Sequence, residues 1–90
     1  MNKTQVKSER DLLRELVQRL VDNPNAVFVD EDIGAGFPDE THLRIEVDPV
    51  DRGRVIGKQG QTVQSLRVLF GRIAATNGRK IFIQVAEGRA

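Results

Sequence analysis

Val55-Ile56-Gly57-Lys58-Gln59-Gly60-Gln61-Thr62-Val63-Gln64-Ser65-Leu66 is the most informative stretch of this 90-residue chain. Two glycines three apart permit a tight turn with no side chain at either end, so another backbone can approach it closely. Amides opening a helix after Gly60 would face outward beside Lys58, and a phosphate suits that mixture of partial and full positive charge. Val55 and Ile56 before the turn, and Val63 and Leu66 after it, fix two flanking helices to a core.

Working outward, Asp48-Pro49 opens the first of these helices, with an acidic N-cap and a proline where the missing N–H costs nothing. That helix carries Val50, Val55 and Ile56 as its apolar positions and is cut at Gly57. The second runs from Gln61 to about Thr76. Val63, Leu66, Leu69, Phe70, Ile73 and Ala74 fall on one arc of it, with Gln64, Arg67 and Arg72 outside the centre. Asn77-Gly78 ends it, and Lys80 to Val85 alternates as a strand with Ile81, Ile83 and Val85 on one face and Phe82 and Gln84 on the other. Toward the N-terminus, Leu43, Ile45 and Val47 alternate with His42, Arg44 and Glu46, which predicts a half-buried strand. Ala26 to Val29 is a second, shorter β-rich run, and Asp30 to Asp32 with Gly34 to Pro38 read as strand end and loop. A first helix is expected over 8–22, capped by Ser8, carrying Leu12, Leu13, Leu16, Val17, Leu20 and Val21, and stopped by Asn23-Pro24.

The order is therefore α-β-β-α-α-β. Adjacent strands form an antiparallel hairpin, whereas the return through two helices is long enough for a parallel crossover. This predicts an α+β domain over 8–86, a three-stranded mixed sheet with three helices on one face, a flexible extension over 1–7 and a tail over 87–90.

Length and composition bound the function. A chain this short buries roughly 60 to 65% of its unfolded surface, which leaves little for a walled catalytic cavity and favours binding. The absence of cysteine removes thiol nucleophiles, disulfides and cysteine zinc sites and makes a cytoplasmic location the default. A single histidine supplies neither a metal cluster nor a catalytic set, and no metal or cofactor is expected. The longest apolar run, Ala26 to Val29, is far too short to span a bilayer, and Met1 to Lys7 has no apolar signal region. Net charge is only +1, but residues 1–50 hold six Lys/Arg and eleven Asp/Glu, net −5, while residues 51–90 hold eight and two, net +6. Such asymmetry points to a basic working face and an anionic partner.

The run from Val55 to Leu66 resembles the hallmark of the K homology (KH) domain, V-I-G-x-x-G-x-x-I-x-x-L, with Val63 where isoleucine is more usual. The element order resembles the type II version of that fold. Pro49 ahead of Gly53-Arg54-Val55-Ile56-Gly57-Lys58-Gln59-Gly60, with a terminal strand, is similar to the small bacterial KhpA family, and the likeness runs from Leu12 to Val85. The resemblance implies a bacterial RNA-binding protein whose GxxG loop clamps a short single-stranded backbone, acting as an RNA chaperone or post-transcriptional regulator. It also implies pairing, as a homodimer or with a larger KH protein of KhpB type. Single-stranded RNA is the expected ligand, single-stranded DNA the lesser alternative. Arg54 and Lys58 are expected to face phosphates, with Gly57, Gln59 and Gly60 in the loop, Arg67 nearby, and Ile56, Val63 and Ile45 as groove floor.

Rival readings are weaker. Gly53 to Gln59 is close to a phosphate-binding Walker A loop, but it has three residues between its glycines and no hydroxyl after Lys58. Gly34-Ala35-Gly36 starts like a dinucleotide fingerprint that Pro38 interrupts. His42 reads as an edge-lying imidazole, the acidic Asp30, Glu31, Asp32, Asp39 and Glu40 as solvated charge, and Phe82 as edge or core packing. No acid, base and nucleophile set is present for an enzyme. The alternative function is a dimerisation module in which the glycine loop is purely structural.

Overall fold

A computed structural model describes residues 8–32 and 37–86. The expected extension (1–7), the tail (87–90) and the Gly34-Ala35-Gly36 segment lie outside the described residues. Helix α1 spans Glu9–Gln18, and Ser8 caps it by accepting a hydrogen bond from the Asp11 N–H at 3.1 Å. The helix ends earlier than the predicted residue 22: the Arg19 and Leu20 amides turn back in i→i−3 bonds to Leu16 and Val17. A 3-10 turn, Pro24–Ala26, follows and takes Ala26 out of the predicted strand. Strand β1 is instead Phe28–Glu31, so Asp30 and Glu31 belong to the sheet and not to a loop.

Strand β2, Glu40–Glu46, starts before the predicted alternation and stops short of Val47. It pairs antiparallel with β1 and parallel with β3, Lys80–Val85, so the order is β1-β2-β3, the mixed sheet the crossover argument requires. Alternation sends Thr41, Leu43 and Ile45 into the core from β2, and Ile83 from β3. Helix α3, Gln61–Ala75, packs on β3, while α1 packs on β1. Phe70, Leu13, Val17, Val27 and Val55 complete one core on that side of the sheet.

The helix predicted from Pro49 divides into a 3-10 turn, Pro49–Asp51, and the short α2, Arg52–Ile56. Asp48 caps it as expected, accepting from the Val50 N–H at 3.1 Å. Two apolar assignments are corrected: Val50 is 76% exposed and Leu69 47% exposed, because a 3-10 turn displaces the first and the second lies at the margin of the buried arc of α3. Among the described residues no helix is long and apolar enough to cross a membrane.

Candidate nucleic-acid interface

Between α2 and α3 the chain makes a left-handed excursion. Gly57 adopts φ 77°, ψ 173°, Gln59 φ 57°, ψ 29°, and Gly60 φ 76°, ψ 12°. Bonds from the Gly57 N–H to the Gly53 carbonyl (2.8 Å) and from the Gly60 N–H to the Gly57 carbonyl (3.1 Å) fix the turn at both ends. Lys58 and Gln59 stand exposed between the glycines. Gly60 offers no side-chain cap, so the first amides of α3 are left to a neighbour. Beneath the loop Val55 and Val63 are buried at 0% and 5% exposure and hold the two helices together.

The other expected site residues take different positions. Ile56 is half-buried beside the loop, whereas Ile45 is fully buried in the core and is corrected from groove floor to core residue, because its face of β2 lies under the helices. Arg54 reaches Asp22 at 3.2 Å, with both side chains largely exposed. Arg67 crosses from α3 to the sheet and donates Nε–H to the Ile83 carbonyl at 3.0 Å. That carbonyl lies on the outer edge of β3, since β3 pairs only with β2. Part of the basic half also serves the fold: Arg52 donates to the Ala86 carbonyl at 2.9 Å, and Arg79 bonds Glu9 at 2.9 Å and the Thr41 hydroxyl.

A residue the sequence reading passed over supports the site from behind. Asp51, 1% exposed, accepts bonds from the Asp22 N–H (3.1 Å), the Asn23 N–H (3.0 Å) and the Asn23 side chain (3.0 Å). Burial pushes its carboxyl up, but these three donors and the charge of Arg54 outweigh it and hold the group below its ordinary value. The signal was present as an acidic residue three positions after the Asp48 cap, the spacing of a capping box. The carboxylate instead bridges to the end of the α1 segment, a long-range partner that spacing does not reveal.

Comparison with known proteins agrees with this geometry. The family model for the KH domain of KhpA and KhpB matches residues 10–85. The chain belongs to the KhpA/KhpB KH-domain family. Curated relatives in this KhpA group include the RNA-binding protein KhpA of Caldanaerobacter subterraneus, 33% identical over 75 residues, 83% of this chain and 96% of the relative. The KhpA of Listeria monocytogenes is 32% identical over 81 residues, 86% of this chain and 97% of the relative. That of Leifsonia xyli is 35% identical over 75 residues, 83% and 92% respectively. Among solved structures, Aquifex aeolicus Era bound to GDP and aluminium fluoride superposes with a TM-score of 0.58 at 19% identity, covering 94% of this chain and 34% of Era. Era in complex with MgGDPNP and nucleotides 1506–1542 of 16S ribosomal RNA gives 0.51 at 18% identity, covering 96% and 37%. The chain thus spans about a third of Era, and that likeness establishes the fold alone.

Proposed function

We propose that this chain binds single-stranded RNA through the backbone at the Gly57 to Gly60 loop, with single-stranded DNA as a poorer ligand, and acts as an RNA chaperone or post-transcriptional regulator. The observation that carries the reading is the left-handed path through Gly57, Gln59 and Gly60, which presents Lys58 beside the uncapped start of α3. Gln59 bears a side chain where glycine would be less strained, and backbone strain of this kind concentrates at functional positions. Curated relatives named as RNA-binding proteins support the same reading. Arg54 contributes a second phosphate contact, since its exposed pair with Asp22 is worth only about 0 to 1 kcal/mol and a phosphate can displace it. Arg67 retains N–H donors beyond the one held by Ile83.

Replacing Lys58 and Gln59 together by aspartate tests the loop. Acidic residues before a helix N-terminus are mildly favourable, by about 0.3 to 1 kcal/mol each, so the fold should survive. Facing phosphate, the same charges repel, and RNA affinity should fall by roughly tenfold or more. A normal melting temperature with undiminished affinity removes the loop from this account.

A second reading, self-pairing or pairing with a larger KH protein, is favoured by Val68 and Leu69, which stand 51% and 47% exposed beside each other on α3. Light scattering of the chain and of Leu69→Glu tests it: an assembly lost in the variant supports pairing through α3, and a monomer with no partner retained from the host opposes it.

A further inference from the structure

The sheet face opposite the helices carries a site of its own. Cross-strand register places His42 opposite Phe82, Asp30 opposite Arg44, and Arg44 opposite Gln84, so these side chains share the open face. The His42 and Phe82 rings stack with centroids 4.7 Å apart and planes inclined by 20°, a flat platform with Phe82 42% exposed. Glu40 steadies it by holding His42 Nε2 at 3.2 Å. Asp30, Asp32, Arg44 and Gln84 border a recess of about 420 Å³ around the two rings.

Charge on this face is matched everywhere except beside the platform. Arg44 lies 3.9 Å from Glu46, and Glu40 is held below its ordinary carboxylate value first by the His42 hydrogen bond, with desolvation opposing and the charge of Lys80 assisting. Among the described residues Asp30 and Asp32 have no side-chain hydrogen bond or ion pair. An exposed π-face beside two unmatched carboxylates fits one chemical group best: a planar cation that stacks while donating in a fork. Phosphate is disfavoured by the same two charges, which separates this face from the loop that bears Lys58.

We propose that the open face of the sheet docks an arginine side chain presented by an extended segment of a partner protein, its guanidinium lying on the His42–Phe82 platform and donating to Asp30 and Asp32. Guanidinium satisfies both features at once, whereas a lysine ammonium lacks the plane. The occupant is a protein segment rather than nucleic acid because the flanking charges are acidic.

The test titrates the full chain with a short Arg-Gly repeat peptide and follows backbone amides by NMR. Shifts should centre on Asp30, His42, Arg44 and Phe82 and leave Lys58 and Gln59 unmoved; a Lys-Gly peptide of equal length and charge should bind several-fold more weakly. Phe82→Leu, which keeps the apolar bulk but removes the π-face, and the pair Asp30→Asn with Asp32→Asn should each weaken the peptide by about fivefold or more at unchanged melting temperature. Equal binding of the two peptides, shifts confined to other surfaces, or unchanged affinity in both variants overturns the proposal. It is equally overturned if a single-stranded uridine oligomer shifts Phe82, which would make the face a base platform, or if Phe82→Leu abolishes self-association of the chain, which would make it a contact between copies. Loss of RNA binding in the loop variant leaves these outcomes untouched, so the two readings fail separately.

Discussion

Gly57 lies at φ 77°, ψ 173°, a region open essentially only to glycine, and a methyl group there would meet the Thr62 backbone nitrogen and Cβ at 2.7 Å each. Gly57→Ala should therefore destabilise by about 2 kcal/mol or more, read as a fall in melting temperature of roughly 10 °C. Gln59 behaves oppositely. It occupies the left-handed region at φ 57° with an exposed side chain, and Gln59→Gly should leave the melting temperature equal or slightly higher, since relief of about 1 to 2 kcal/mol of strain is offset by glycine's greater loss of chain entropy. A drop of several degrees in that variant would show that the Gln59 side chain holds the loop together.

At the scale of elements, the site depends on two attachments. Phe70, fully buried, fastens α3 to the rest of the core, and Phe70→Ala should cost about 3 to 5 kcal/mol in denaturant unfolding. Asp51 ties the turn before α2 to the segment after α1. Its carboxyl is held below the ordinary value in the folded chain, so its contribution is present above the unfolded value of about 4 and is lost as pH falls toward the folded one. Asp51→Asn should lower the melting temperature at pH 7, because an amide turns donors toward donors, and should flatten the loss of stability below about pH 4. Parallel acid titrations of the two proteins check this; identical slopes would mean that Asp51 is not the group concerned. The same attachments explain what the sequence made legible. Caps are local, and Ser8 and Asp48 were readable from the residues that follow them. The Asp51 bridge joins residues 28 and 29 positions apart, beyond the reach of any helical or strand period.

For the molecule as a whole, the charge division between residues 1–50 and 51–90 resolves into distinct tasks. Arg79 and Arg52 bond within the fold, while Lys58 faces solvent. With about two to four phosphates contacted, RNA affinity should vary with salt at a log–log slope of roughly −1.5 to −3 for a single strand. A slope near zero would contradict backbone binding. Filter binding should also favour a single strand over a duplex of equal length, because a short loop follows one backbone; the reverse preference would sink the assignment.

The sequence by itself determined the element order, the two caps and the glycine loop, since each rests on period or turn chemistry within a few residues. It also carried enough for the strand pairing, because a hairpin and a helical crossover leave few topologies. Only tertiary structure decided the ends of α1 and β1 and the division of the helix after Pro49, where local bonds compete within a fraction of a kcal/mol per residue and packing settles the balance. It decided that Ile45 is core, that Arg67 grips the edge of β3, and that His42 and Phe82, 40 positions apart and read separately as edge residues, stack into one platform. Such contacts are set by strand register, and register joins distant residues through a whole sheet that no single stretch of the chain contains.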